Sequence, residues 1–209
     1  MLQSLGQSRQ THQRHGHHRL GQSFGRPTRG AGGIAYHFST DGAVIYGNLG
    51  NDTLLGGGDT DFIFGGQGDD SIRGNGKGDV LSGGLGNDTF VVAVQIDGGS
   101  GTESGVVLGS VDLVGDFATG QDKIRGLLGG NDVPGTASNY NEYEDRTVSN
   151  PRHASQSYAE HLLLNTYTFI AGDEDGYLVI DVDKNGIADG VVELIDRDLL
   201  SDFAFSDII

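Results

Sequence analysis

Five nine-residue segments of the same form follow one another without a gap between residues 47 and 91, and they decide the fold. Each begins with Gly, has Asp at position 6 and has a large apolar residue at position 8. The segments are GNLGNDTLL (47–55), GGGDTDFIF (56–64), GGQGDDSIR (65–73), GNGKGDVLS (74–82) and GGLGNDTFV (83–91). Copies that stay in phase in this way indicate a repeat architecture, in which each unit buries its apolar side against its neighbours.

The pattern within one repeat predicts a loop followed by a short strand. Gly at positions 1, 2 and 4 tolerates the positive φ of a tight loop, and the middle residue of the three that follow Asp points inward. Two repeats then make one turn of a flattened coil with a loop on each side. The aspartates therefore divide between an odd edge (Asp52, Asp70 and Asp88) and an even edge (Asp61 and Asp79).

The chemistry of these loops predicts calcium sites. Ca²⁺ takes six to eight oxygen ligands from carboxylates and backbone carbonyls. Neighbouring carboxylates on one edge repel each other by about 1–3 kcal/mol per pair, and a core of five or six inward residues does not easily offset this. We therefore expect the roll to fold when the metal binds. Pairing each repeat with the next but one gives three sandwiched sites, so we predict about three or more Ca²⁺ ions. The predicted ligands are Asp52, Asp61, Asp70, Asp79 and Asp88.

Two repeats depart from the pattern at position 4, where Asp59 and Lys77 replace Gly. Both residues lie on the even edge. Asp tolerates the left-handed region fairly well, whereas Lys does so less readily. The sequence therefore predicts weaker calcium binding along the even edge than along the odd edge.

A second candidate metal site lies in the segment DVDKNGIAD (181–189). Its oxygen-bearing side chains and Gly186 match positions 1, 3, 5, 9 and 6 of an EF-hand loop. However, position 12 is Val192 and not Glu, and the flanking segments alternate like strands. The segment is therefore either a calcium loop between two strands or a polar hairpin turn. The candidate ligands are Asp181, Asp183, Asn185 and Asp189.

The rest of the chain divides around the repeats. Residues 1–36 form a basic, His-rich stretch that we expect to be a disordered tail. Residues 37–108 are predicted to form the β-roll with its capping turns. Residues 109–209 are predicted to form an antiparallel β cap with a polar insertion at 129–150, one short helix that begins at Pro151, and a hairpin. The predicted fold class is thus all-β, a parallel β-roll followed by an antiparallel cap or sandwich.

Composition excludes several classes of function. The formal net charge of −16 disfavours nucleic acid as a partner, and there is no Cys to form a disulfide or a thiolate site. No run of 18 apolar residues predicts a transmembrane segment. No HExxH or GxSxG motif occurs, so we expect no enzyme activity.

The repeat GGxGxDxUx resembles the calcium-binding repeat of RTX (repeat-in-toxin, haemolysin-type) proteins. The segments VGDFATGQDKI (114–124), LVIDVDKNGIADGVVEL (178–194) and FAFSDII (203–209) are similar to the C-terminal region of serralysin-type secreted proteases. The resemblance implies a secreted, extracellular protein that leaves the cell through type I secretion machinery, with a signal at its C-terminus. It also implies calcium-triggered folding without catalysis.

Two alternatives remain open. The chain resembles the C-terminal module or fragment of a larger RTX enzyme, a protease or a lipase. It also resembles the calcium-binding modules of alginate epimerases, which implies an accessory module that binds extracellular polysaccharide or a cell surface.

Overall fold

The computed structural model describes residues 33–36, 42–94, 111–128, 131–132, 134–161, 166–182 and 184–209. Within them the chain forms two sheets that face each other across one core. The six-stranded sheet contains, in spatial order, β1 (Ile34–Tyr36), β3 (Thr53–Leu55), β5 (Ser71–Arg73), β7 (Thr89–Val94), β9 (Lys123–Leu128) and β10 (Asn131–Asp132). The eight-stranded sheet contains β11 (Tyr140–Glu144), β12 (Tyr167–Ala171), β13 (Gly176–Ile180), β14 (Gly190–Leu194), β8 (Asp112–Val114), β6 (Val80–Leu85), β4 (Phe62–Gln67) and β2 (Val44–Leu49).

The repeats form the predicted parallel roll. Strands of odd and even repeats alternate between the two sheets, and partners within one sheet are 18 residues apart, as in Leu54 beside Ile72 and Ile63 beside Leu81. The position-8 side chains of all five repeats are at most 1% exposed. The strand after each Asp therefore points its middle residue into the core, as the pattern predicts.

The roll extends beyond the five repeats at both ends. Before them, β1 pairs with β3 and β2 pairs with β4, both in parallel. β1 lies inside the range that the sequence assigns to the tail, and residues 1–32 lie outside the described residues. After them, β8 pairs with β6 and β9 pairs with β7, so residues 112–128 form a further turn of the same coil.

The cap is continuous with the roll and does not form a separate sandwich. β14 pairs with β8 in parallel, and β13 pairs antiparallel with both β12 and β14. The cap strands therefore extend the roll's own sheet. β11 lies in the polar range 129–150 that we predicted as an insertion or loop, and it pairs in parallel with β12. This strand forms because Tyr140 packs against the main core and Tyr143 packs against a second apolar cluster.

The helix α1 (Pro151–His161) begins where the sequence predicts. The side chain of Asn150 caps it, because Oδ1 accepts the N–H of His153 at 3.0 Å. Ala154 and Tyr158 are fully buried against β13 and β14. No helix in the described part of the chain is long and apolar enough to cross a membrane.

The main core is larger than the repeats alone provide. It joins the inward residues of the roll to side chains of the cap. At the junction, the ring of Phe117 lies 5.4 Å from that of Phe203, which in turn stacks 5.2 Å from Phe169. The C-terminal end of the roll is therefore supported by aromatic packing from the cap.

Candidate metal centre

A ladder of buried aspartates runs along each edge of the roll. The position-6 side chains of all five repeats are at most 5% exposed. In each of them Oδ1 accepts a backbone N–H from the preceding layer of the coil, at 2.7–2.8 Å. For example, the N–H of Asp52 donates to Asp70, and the N–H of Asp70 donates to Asp88. These bonds align the carboxylates in a row along each edge, as the sequence predicts.

Two further aspartates continue the ladders beyond the repeats. The N–H of Asp79 donates to Oδ1 of Asp112 (3.1 Å) on the even edge, and the N–H of Asp88 donates to Oδ1 of Asp122 (2.9 Å) on the odd edge. Sequence reasoning missed both as site residues. The available signal was an Asp followed two positions later by an inward apolar residue, here Val114 or Ile124, as in every repeat.

The second carboxylate oxygen differs between the two edges. On the odd edge, Oδ2 of Asp52, Asp70 and Asp88 is buried and has no hydrogen-bond partner. On the even edge, Oδ2 of Asp79 is also buried without a hydrogen-bond partner. Oδ2 of Asp61, in contrast, accepts the N–H of Gly57 at 2.6 Å. A buried carboxylate oxygen without a partner is costly. These four oxygens are therefore the ones that favour a bound cation.

Glycine at position 1 leaves space for the free oxygen. A Cβ on Gly65 would overlap both Oδ2 of Asp70 and the carbonyl oxygen of Gly83 in the next layer. A Cβ on Gly47 would likewise overlap Oδ2 of Asp52 and the carbonyl oxygen of Gly65. A carboxylate oxygen and a backbone carbonyl oxygen thus lie at one place in the first two odd layers. This donor set fits a hard cation such as Ca²⁺.

No group of three or more His, Asp or Glu side chains converges on a point within the described residues. Each ladder aspartate belongs to its own layer, and carbonyls of the loops supply the nearest other oxygens. Such a site therefore depends on backbone geometry more than on side chains. This explains why a fixed glycine pattern accompanies a single Asp in each repeat.

Burial and repulsion between neighbouring carboxylates raise the pKa of three repeat aspartates. Burial raises the pKa of Asp70 and of Asp88 to about 6. Burial, with added repulsion from Asp112 and Asp61, raises the pKa of Asp79 to about 8. At neutral pH Asp70 and Asp88 are mostly ionised, whereas Asp79 keeps its proton in the metal-free protein.

The loops of the odd edge are regular from layer to layer. Positions 2 and 4 have positive φ in all three, with Gly66 at +115° and Gly68 at +121° in the middle loop. A Cβ on Gly66 would overlap the backbone of Asn48, so the layers stack too closely for a side chain there. At position 5, the side-chain Oδ1 of one residue accepts the backbone N–H of the residue at the same position in the next layer. For example, Oδ1 of Asn51 accepts the N–H of Asp69 at 3.0 Å.

The loops of the even edge differ from each other and from the odd loops. In the repeat-4 loop Asn75 and Lys77 have φ of +80° and +62°, whereas the loop of repeat 2 contains no residue at positive φ. Lys77 therefore adopts the left-handed conformation that Asp59 does not. Its Nζ lies 2.6 Å from Oδ1 of Asp59, and Nδ2 of Asn75 donates to the carbonyl of Gly56 at 2.6 Å. Side chains of the protein itself thus bridge the two even loops.

The far end of the roll is closed by carboxylates that the sequence did not single out. Asp116 accepts the N–H groups of Gly83 and Gly84, both at 2.9 Å. Asp207 is fully buried and accepts the N–H of Gly120 (3.0 Å) and Nζ of Lys123 (3.1 Å). The contacts of Asp207 hold the C-terminal 3₁₀ turn (Phe205–Asp207) against the last turn of the coil.

The predicted loop at 181–189 lies apart from the roll, between β13 and β14. Asp181 is fully buried, and its Oδ2 accepts the Tyr158 hydroxyl (2.7 Å) and the N–H of Gly186 (2.9 Å). Oδ2 of Asp189 accepts the N–H of Val182 at 2.7 Å. The structure thus brings Asp181 and Asp189 to one loop, with Asn185 exposed between them. Asp183 lies outside the described residues.

Comparisons with known proteins identify the repeats. Residues 39–72 and 64–92 match the family model of the RTX calcium-binding nonapeptide repeat, in four copies. No curated protein sequence matched the chain. Among solved structures, the R3 subunit of the mannuronan C5-epimerase AlgE6 from Azotobacter vinelandii is similar, with a TM-score of 0.49 and 20% identity over 90% of this chain and 84% of that one.

Proposed function

We propose that this chain, which carries RTX calcium-binding repeats, is a module that folds around calcium ions held mainly along the odd edge. The observation that carries this proposal is the set of buried, unpartnered Oδ2 atoms on Asp52, Asp70 and Asp88. Asp70 and Asp88, with a pKa of about 6, are ionised at neutral pH in the metal-free protein. A divalent cation beside each oxygen converts repulsion within the row into attraction.

The ligand set follows from the layers of the coil. On the odd edge each ion would take the free carboxylate oxygen of one layer and carbonyl oxygens of adjacent loops, such as that of Gly65 or Gly83. This gives three strong sites, with Asp79 as a weaker fourth on the even edge. Asp61 is a poor ligand, because the N–H of Gly57 already occupies its second oxygen. We expect affinities of about 10⁻⁴–10⁻³ M, as in extracellular calcium modules.

Calcium acts unequally along the roll. The C-terminal turn packs against the aromatic cluster of Phe117, Phe169 and Phe203, whereas the described N-terminal turns contribute Ala43, Ile45 and the inward residues of the repeats to the core. Without the metal, the N-terminal turns are therefore expected to unfold first. The cap retains structure because its strands share a large apolar core.

We infer a non-catalytic role and a place outside the cell. The supporting observations are that the buried carboxylates of the roll form the ladder and that the matching family model is a calcium-binding repeat. The similarity to RTX proteins supports type I secretion followed by folding in external calcium. Expression with and without a type I exporter tests this, since the protein should reach the medium only when the exporter is present. Equal amounts in the medium would contradict it.

A calcium titration of the full chain tests the folding role. Circular dichroism should show a loss of β-sheet signal in chelator and its recovery with calcium, and calorimetry should count about three strong sites. Magnesium at equal ionic strength is the control, because Mg²⁺ is a smaller ion that requires near-octahedral coordination and gives up its water ligands reluctantly. The same spectrum and thermal midpoint in chelator and in calcium would refute calcium-dependent folding.

A further inference from the structure

The loop between β13 and β14 encloses a carboxylate that belongs to neither edge of the roll. Asp181 ends β13 and is fully buried. The register sets Val192 of β14 beside Asp112, and Asp189 precedes Val192 by three residues in the chain. The hydrogen bonds of the Asp181 side chain go to Tyr158 and Gly186 and not to a ladder aspartate.

The contacts of Asp181 leave one oxygen unpartnered. Oδ2 accepts two hydrogen bonds, from the Tyr158 hydroxyl at 2.7 Å and from the N–H of Gly186 at 2.9 Å. Oδ1 is buried and has no hydrogen-bond partner. The carboxylate group of Asp181 thus contacts the loop through Gly186 and the helix through Tyr158.

The surrounding loop supplies the other features of a cation site. Asp189 turns its carboxylate back to the loop, where Oδ2 accepts the N–H of Val182. Oδ1 of Asn185 accepts the N–H of Ile187 at 2.7 Å, which orders that side chain within the same turn. The backbone reverses through positive φ at Lys184 (+58°) and Gly186 (+83°). The side chain of Lys184 is exposed, so it does not bury its charge beside Asp181.

We propose that this loop is a second calcium site, in which Oδ1 of Asp181, the carboxylate of Asp189 and loop carbonyls bind one ion. Two carboxylates and backbone oxygens within nine residues form a hard donor set that suits Ca²⁺. The buried oxygen without a partner is the observation that separates this loop from an ordinary polar hairpin turn. A cation there supplies the interaction that Oδ1 of Asp181 lacks.

The site also connects the helix to the hairpin. Tyr158 lies on α1, and burial beside Asp181 raises the pKa of its hydroxyl, which keeps it protonated as a donor. Tyr158 and Ala188 belong to the same apolar cluster. Binding at the loop therefore stabilises the packing of α1 on β13 and β14, independently of the roll.

Calorimetry on the full chain, with one matched pair of variants, tests the proposal. Asp181→Asn removes the charge at similar volume, and Asp173→Asn does the same at an exposed position in the other turn of the β12–β13–β14 meander. We expect Asp181→Asn to bind one Ca²⁺ fewer than the wild type, and Asp173→Asn to bind the same number. The calcium midpoint of the roll, followed by circular dichroism, should be unchanged in both. Equal stoichiometry in all three proteins would overturn the site.

A measurement on the wild-type protein covers the case in which Asp181→Asn fails to fold. In a calcium titration followed by ¹H–¹⁵N NMR, the amides of Val182 and Gly186 should shift with a midpoint of their own. Asp189→Asn, which keeps an acceptor for Val182, should move that midpoint to higher calcium. Amides that stay unshifted at saturating calcium would refute the loop site, while the roll amides would report separately on the ladder.

Discussion

The two edges of the roll are built from the same nine-residue repeat, yet they balance their buried charge in different ways. On the odd edge, three carboxylates have a free buried oxygen and the loops keep one conformation from layer to layer. On the even edge, the N–H of Gly57 fills the second oxygen of Asp61, and Lys77 bridges to Asp59. One Asp per repeat therefore does not give each carboxylate the same surroundings. We propose that the residues at positions 2 and 4, which set the loop conformation, make calcium binding unequal along the two edges.

The acid–base behaviour follows the same division. Asp70 and Asp88 have a pKa of about 6, so they are charged at pH 7, whereas Asp79 at about 8 still holds a proton. The proton on Asp79 therefore removes one negative charge from the even edge at neutral pH. Asp70 and Asp88 keep their charges on the odd edge, and we propose that an external ion neutralises them.

The largest expected effect comes from removing one ladder carboxylate on each edge. Asp70→Ala should raise the calcium midpoint of folding on the order of tenfold or more, because it removes a charged ligand between two odd layers. Asp79→Ala should raise the midpoint much less. Circular dichroism during a calcium titration provides the measurement, and equal midpoints for the two variants would remove the distinction between the edges.

Lowering the pH in chelator should partly replace calcium. Burial raises the folded-state pKa of Asp70 and Asp79 above the ordinary value of 3.8, so the folded protein binds more protons at these groups than the unfolded chain does. Their contribution to the stability of the metal-free protein is therefore complete below about pH 4 and is lost as the pH rises through about 6 and then about 8. Thermal unfolding in chelator at pH 5, 7 and 9 tests this. A midpoint that rises with pH over this range would show that the aspartates are not buried together.

Lys77→Gly should make the even edge resemble the odd edge. Gly removes a strain of about 1 kcal/mol at φ +62° and also removes the ammonium group from the loop. We expect one additional calcium ion to bind with an affinity close to that of the odd sites. Calorimetric stoichiometry measures the change, with Asp196→Gly as the control at an exposed left-handed residue outside both proposed calcium sites. An unchanged ion count would mean that Lys77 does not substitute for calcium.

The smallest effect is expected for Asp59→Asn. The ion pair between Asp59 and Lys77 is exposed on both sides, so its contribution to stability is small. The thermal midpoint in calcium should stay the same within error. A large fall would indicate that the surface pair, and not the buried ladder, holds the even loops together.

The repeat predicted the ladder and the core because one Asp and one apolar residue recur at a fixed spacing. It did not predict Asp112 and Asp122, because they follow Asp79 and Asp88 by 33 and 34 residues and not by the 18 residues that separate repeats on one edge. It also could not show that Gly57 would fill the second oxygen of Asp61, because that depends on the path of an irregular loop. β11 was missed for a different reason. Its sequence is polar, and its two tyrosines gain their apolar contacts only in the tertiary structure.

A crystal structure of the protein grown in calcium, with anomalous difference maps, tests the central claim most directly. The account predicts peaks beside the free carboxylate oxygens of Asp52, Asp70 and Asp88, and a weaker peak or none beside Asp79. Strong peaks along the even edge with none along the odd edge would contradict it.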